Sequence, residues 1–260
     1  MSLAGKTALI TGSTSGIGLG MALAFAKQGC NIMVNGFGDK AVIDDVVTQL
    51  KALSVDADYH GADMSKPEEI ADLIKTTETR FGRLDILVNN AGIQHTARVE
   101  DFPLTKWDAI IAINLSSAFH TVHHALPGMQ ARNWGRIINI ASVHGLVASS
   151  NKSAYVAAKH GLVGLTKVIA LENAKSGITC NAICPGWVLT PLVQKQIDDR
   201  AVRDNISVEA AKQALVAEKQ PSGEFVTTDQ LAALALFLCS SDASEVRGVA
   251  WNLDGGWTAQ

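Results

Sequence analysis

The run Thr7-Ala8-Leu9-Ile10-Thr11-Gly12-Ser13-Thr14-Ser15-Gly16-Ile17-Gly18 (TALITGSTSGIG) opens on a short apolar strand pattern and closes on three glycines spaced GxxxGxG. Thr7–Thr11 does not alternate between apolar and polar residues, which suits a strand covered on both faces. The segment after it, Gly16–Gln28, has helical periodicity. A glycine turn between strand and helix lets the backbone turn tightly and come close to a pyrophosphate. The helix N-terminus adds unpaired N–H donors and a partial positive charge. Glycines also serve ordinary turns, so the position of this cluster after the first strand carries the reading.

The same rhythm continues outward. Strand patterns fall at Ile32–Asn35, Ala57–Tyr59, Ile86–Asn89, Arg136–Ala141, Thr179–Ile183 and Val249–Asn252. Helical patterns fall between them, as in Lys66–Phe81, Thr105–Gln130 and Ser153–Asn173. This alternation predicts an α/β fold: one Rossmann-type, doubly wound parallel sheet with helices on both faces. No repeat, low-complexity tract or linker divides residues 1–260, so a single dinucleotide-binding and catalytic domain is expected. The rhythm breaks between Pro185 and about Thr227, where charged helical patterns surround Lys195–Arg203 and Val208–Lys219. An excursion of this length in a compact domain reads as a substrate lid, at about residues 186–226.

Apolar residues make up 47% of the 260-residue chain, enough for a sizeable core, and the net charge of -3 brings no basic stripe for nucleic acid. Apolar runs such as Leu231–Cys239 are too short to span a bilayer. The start MSLAGKTALITG lacks the features of a secretory signal. Cys30, Cys180, Cys184 and Cys239 show no metal spacing and read as free thiols of a reducing compartment. These signs predict a cytoplasmic protein with neither membrane nor nucleic-acid partner, and no metal site.

Chemistry concentrates in the second half. Tyr155 and Lys159 stand i, i+4 in NKSAYVAAKH and so share one helix face. A free tyrosine, with a pKa of about 10, is a poor base at neutral pH. A nearby ammonium stabilises the phenolate and lowers that value. Ser142, at the end of a strand, is placed to hydrogen-bond a reacting oxygen. Asn114 lies in the middle of a helical pattern, a poor place for Asn by propensity, which a buried polar kink holding water would explain. Asn89-Asn90-Ala91-Gly92 ends the fourth strand, where adjacent asparagines can tie neighbouring loops together. Alone, each feature has a plain structural reading: a capping serine, a core tyrosine, a solvated lysine.

In combination they resemble the short-chain dehydrogenase/reductase family. The resemblance rests on TGSTSGIG, Asp63, NNAG, Asn114, Ser142, YVAAK and Pro185-Gly186, in order across the chain. It implies a seven-stranded sheet, a homotetramer and hydride transfer at a nicotinamide. It implies Tyr155 as general acid/base, Lys159 lowering its pKa and binding the nicotinamide ribose, Ser142 steadying the substrate oxygen, and Asn114 holding a relay water. The cofactor site so implied takes in Gly12, Thr14, Ser15, Gly16, Ile17 and Gly18 of the first loop. Phe37, Asp63, Met64, Asn90 and Gly92 follow, then Tyr155, Lys159, Pro185, Val188 and Thr190. NAD is the expected cofactor. Neither the first glycine loop nor Asn35–Gly38 carries an Arg or Lys for a 2′-phosphate, although Gly36 stands where an acid is usual and Lys40 lies nearby.

Gln94, His144, Lys152, Trp187, Gln196 and Trp257 gather around the same motifs. This polar, cationic set flanked by aromatics suits a small anionic hydroxy or keto acid. Together with GIQHT, SVHGLVAS and DGGWT, it resembles the branch of the family that interconverts (R)-3-hydroxybutyrate and acetoacetate. There Gln94, His144, Lys152 and Gln196 would hold the carboxylate, with Trp187 and a Trp257 that could come from a neighbouring subunit at the border. The alternatives are an NADP-dependent 3-oxoacyl reductase and a catalytically silent dinucleotide-binding regulator.

Overall fold

A computed structural model of the chain describes residues 3–259. Seven strands form one sheet: β1 (Thr7–Ile10), β2 (Asn31–Asn35), β3 (Ala57–His60), β4 (Ile86–Asn89), β5 (Gly135–Ile140), β6 (Ile178–Pro185) and β7 (Ala250–Leu253). Their order is β3-β2-β1-β4-β5-β6-β7, and every pairing is parallel. The order reverses between β1 and β4, which opens a crevice at their carboxyl ends.

Helices cover both faces. They are α1 (Gly16–Lys27), α2 (Lys40–Lys51), α3 (Pro67–Phe81), α4 (Leu104–Ile111), α5 (Ser117–Ala131), α6 (Ser153–Glu172), α7 (Pro191–Asp204), α8 (Val208–Ala217) and α9 (Thr228–Cys239). Strand β1 shows why its sequence does not alternate. Ala8 and Ile10 join a core with Phe25 of α1 and Leu231 of α9, whereas Leu9 between them joins Ile70 of α3 and Val122 of α5 on the other face. Helix ends follow local chemistry. Pro67 begins α3 with Glu68 and Glu69 in the first turn, and Gly82 ends it in the left-handed region at φ 75°. Thr227 and Gln230 form a reciprocal capping box at the start of α9.

The single helix expected over Thr105–Gln130 is interrupted. A π-helical turn, Ala112–Ser116, separates α4 from α5 and carries the buried Asn114. Between Pro185 and Thr227 lie α7 and α8, in accord with the charged helical patterns read there. They enclose a core of their own from Val193, Ile197, Ala201, Ala211 and Leu215. Helix α6 is long and apolar enough to cross a membrane by length and composition, but it lies along β6 with Ala154, Ala158, Lys159 and Leu162 buried inside the fold.

Candidate active site

The crevice holds a cavity of about 360 Å³ lined by loops that leave the carboxyl ends of the strands. At one end stands the first glycine loop: Gly12, Thr14, Ser15, Gly16 and Ile17 all line it. Gly18 does not; its role is close packing, because a Cβ there would overlap the Gly12 carbonyl oxygen. The loop is held from two sides. The Asn90 amide donates to the Thr11 and Gly12 carbonyls at 2.8 and 3.0 Å. The Thr14 hydroxyl donates to the Phe37 carbonyl at 2.8 Å. Thus Asn90 ties loops together, as the paired asparagines suggested, while Asn89 turns inward to Asn139 and Thr121.

Gly36 has a structural reason to be glycine. Its φ is 144°, and a Cβ would stand 2.9 Å from Thr14 Oγ1. An acidic side chain is therefore excluded from the end of β2. Phe37 projects at the rim, 68% exposed. Lys40 forms an i, i+4 ion pair with Asp44. Besides Gly18, two expected cofactor residues stand off the cavity wall. Asp63 accepts bonds from the Ser65 N–H and hydroxyl, which hold its carboxyl below the usual range, and Met64 is buried in the core under α3. Gly92, Pro185, Val188 and Thr190 do line the cavity, and Thr190 also caps α7.

Tyr155 and Lys159 form the floor, near Ile140 and Ala141. Burial pushes the Tyr155 phenol above its ordinary pKa, and a bond with the Ser142 hydroxyl pulls it back. Burial also pushes Lys159 down to about 8. Its Nζ lies 5.6 Å from the centre of the Tyr155 ring and donates to the Ile140 carbonyl at 2.7 Å. On Tyr155, burial outweighs the Ser142 bond, and Lys159, itself desolvated, turns its ammonium to a backbone carbonyl. Asn114 is likewise engaged. Its amide donates to the Ile93 carbonyl and accepts from the Ile93 N–H, both at 2.9 Å, fixing the loop between Gly92 and Gln94. It faces Ile93 and does not line the cavity.

At the other end Gln94, Trp187 and Gln196 line the cavity; Ser142 and His144 adjoin it through Tyr155, and Lys152 and Trp257 through Trp187. Four groups stack there. The Lys152 ammonium is 5.2 Å from the Trp187 ring centre, Trp187 is 6.0 Å from Trp257, and Trp257 meets His144 edge-on at 5.4 Å. This Trp257 belongs to the same chain as the site it borders. His144 is not a cation: burial first, and then the Lys152 charge, push it down to about 4. Its two ring nitrogens lie 3.3 Å from Ser142 Oγ and 2.9 Å from Ser149 Oγ. Lys152 is half-buried, its pKa lowered by burial, and among the described residues no carboxylate pairs with it. The Ile93, Ile140 and Ser149 contacts carried no sequence signal, since two are backbone groups and one is an ordinary loop serine.

A crevice at the reversal of a parallel sheet, a glycine loop at its first strand and a Tyr-Lys pair on its floor define a nucleotide-dependent oxidoreductase site. The short chain dehydrogenase model matches residues 6–201, and the chain belongs to that family. A D-beta-hydroxybutyrate dehydrogenase of Cupriavidus necator is 65% identical over 258 residues, covering 99% of this chain and all of the relative. Another, of Rhizobium meliloti, is 56% identical over 256 residues, covering 98% and 99%. Among solved structures, a variant of actinorhodin polyketide ketoreductase with NADPH superimposes with a TM-score of 0.92 at 33% identity, over the whole of both chains.

Proposed function

We propose that the protein oxidises (R)-3-hydroxybutyrate to acetoacetate with NAD⁺, reversibly. The observation that carries the substrate class is Lys152: a half-buried ammonium without an acidic partner among the described residues, against Trp187 and near enough to His144 for its charge to act there. A desolvated, unpaired cation is costly, and a carboxylate ligand offsets that cost. The two relatives named D-beta-hydroxybutyrate dehydrogenase support the same substrate.

The cavity fits a dinucleotide. Its glycine loop lets backbone come close, and Phe37 at the rim offers an aromatic face. NAD rather than NADP is supported by the rim Gly36–Gly38, which carries no cation, and by Lys40, which is engaged with Asp44. NAD⁺, when bound, supplies the hydride acceptor. Lys152, with the Gln94 and Gln196 amides, binds the carboxylate. The Ser142 hydroxyl donates to the carbinol oxygen, and the Tyr155 phenolate takes the hydroxyl proton as the C3 hydride departs. The Lys159 ammonium stabilises that phenolate. Anchoring the carboxylate at one end fixes which face of C3 points at the acceptor, which selects one enantiomer.

The α7–α8 excursion serves as the lid over this pocket. Exposed Leu104 and Trp107 of α4, Phe119 of α5 and Leu171 of α6 support a homotetramer, and four buried free thiols support a reducing, cytoplasmic setting. Initial rates with NAD and NADP, against both enantiomers of 3-hydroxybutyrate and the neutral butan-2-ol, test the reading. The (R)-acid with NAD is expected to dominate. Faster turnover of the neutral alcohol, or of the (S)-acid, would refute it.

A further inference from the structure

We propose that Gln220, at the foot of the α7–α8 excursion, is a positioning residue for the substrate pocket. The inference rests on the reading of Lys152 and Trp187 as the carboxylate end of that pocket. Gln220 is 1% exposed, unusual for a glutamine outside the sheet. Both ends of its amide are used. Oε1 accepts from the Trp187 N–H, and Nε2 donates to the Glu224 carbonyl at 2.6 Å.

Three segments meet on this side chain. The first is the exit of β6, where Gly186 leaves room for it: a Cβ at 186 would overlap Gln220 Oε1 and come within 2.9 Å of Asp254 Cα. The second is the return of the excursion, where Val226 N–H donates to the Trp187 carbonyl at 2.9 Å. The third is the C-terminal tail, where Ser222 N–H donates to the Gly255 carbonyl at 3.0 Å and a Cβ at 255 would stand 3.2 Å from Gln220 Nε2. The two feet of the excursion are therefore tied together at Trp187, the residue whose ring lies against Lys152 and Trp257. Both Trp187 backbone groups are held from this return segment, so the indole's placement depends on Gln220. Removing the amide frees the Trp187 N–H and lets the ring leave Lys152, while the glycine loop, on the far side of the sheet reversal, is untouched.

The test is Gln220→Met in the full-length protein, with steady-state kinetics and hydrogen exchange read together. The KM for (R)-3-hydroxybutyrate is expected to rise about tenfold or more, with the Kd for NAD within about twofold of the parent, as befits loss of ground-state binding. The Trp187 amide is expected to lose protection while β1 and β4 amides keep theirs. The exchange readout needs no substrate. It therefore judges Gln220 even if the parent enzyme fails to oxidise 3-hydroxybutyrate, a failure that would count against the substrate reading alone. Should Gln220→Met not fold, Gln220→Glu keeps the side-chain length and the acceptor for the Trp187 N–H, and its buried carboxyl, held protonated, donates to the Glu224 carbonyl. It is expected to keep that amide protected, with a KM within about threefold of the parent. A Gln220→Met variant with an unchanged KM or a still-protected Trp187 amide, loss of NAD affinity in parallel with hydroxybutyrate affinity, or a Glu variant with an unprotected Trp187 amide would each overturn the proposal.

Discussion

Lys159 shows how one residue's environment sets both chemistry and stability. Its pKa of about 8 means that the folded protein holds this proton less tightly than the unfolded chain does. Below pH 8 the buried ammonium costs stability. The cost is relieved as pH rises from about 8 towards the ordinary lysine value near 10.4, because over that window the unfolded chain binds the extra proton. Lys159→Met should therefore abolish turnover yet stabilise the cofactor-free protein at pH 7 by about 1–3 kcal/mol, after allowing for the lost bond to Ile140. That gain should shrink between pH 8 and 10, as read by urea titration at each pH. A destabilised variant would mean that the Ile140 bond outweighs desolvation. The i, i+4 spacing made the Tyr155–Lys159 pairing legible in the sequence. The bond from Nζ to the Ile140 carbonyl was not, because a backbone acceptor leaves no trace in residue type.

At the scale of elements, the interruption at Ala112–Ser116 explains a helical pattern that contains a poorly suited asparagine. The sequence marked Asn114 as anomalous, which was correct, and pointed to a buried polar kink. What it could not display is the partner. The amide makes a two-bond match to the Ile93 backbone, and the π-turn brings it there. Asn114→Leu removes both bonds and leaves two half-buried backbone groups unpaired, which should cost about 2–4 kcal/mol of stability. Activity should fall more than tenfold, because the Gly92–Gln94 loop loses its support. Equal stability with full activity, measured by thermal melting and initial rates, would show that Ile93 needs no such support. The strands were legible for a simpler reason: unbroken apolar runs covered on both faces have few alternatives. The ends of β5 and β6 shifted by one or two residues, since pairing, not composition, decides where a strand stops.

Across the whole molecule, the sheet reversal between β1 and β4 gathers residues from Gly12 to Gln196 around one cavity. The glycine loop, NNAG and Tyr-Lys motifs were readable because each sits at a strand end or on one helix face. The second tier was named in the sequence, but its charge state and contacts were not readable there. His144 carries no charge, since the fold buries it beside Lys152, and Trp257 reaches the site of its own chain through a tail anchored on Asp254. The sequence already assigns the two lysines of NKSAYVAAKH different tasks, and the fold adds what each touches: Lys159 turns to a carbonyl on the floor, and Lys152 lies against Trp187 without a carboxylate partner among the described residues. The most direct test is therefore Lys152→Ala, assayed with NAD on (R)-3-hydroxybutyrate and on butan-2-ol. The KM for the acid should rise by about one to two orders of magnitude, with kcat largely kept and the neutral alcohol unaffected. An unchanged KM for the acid would contradict the account.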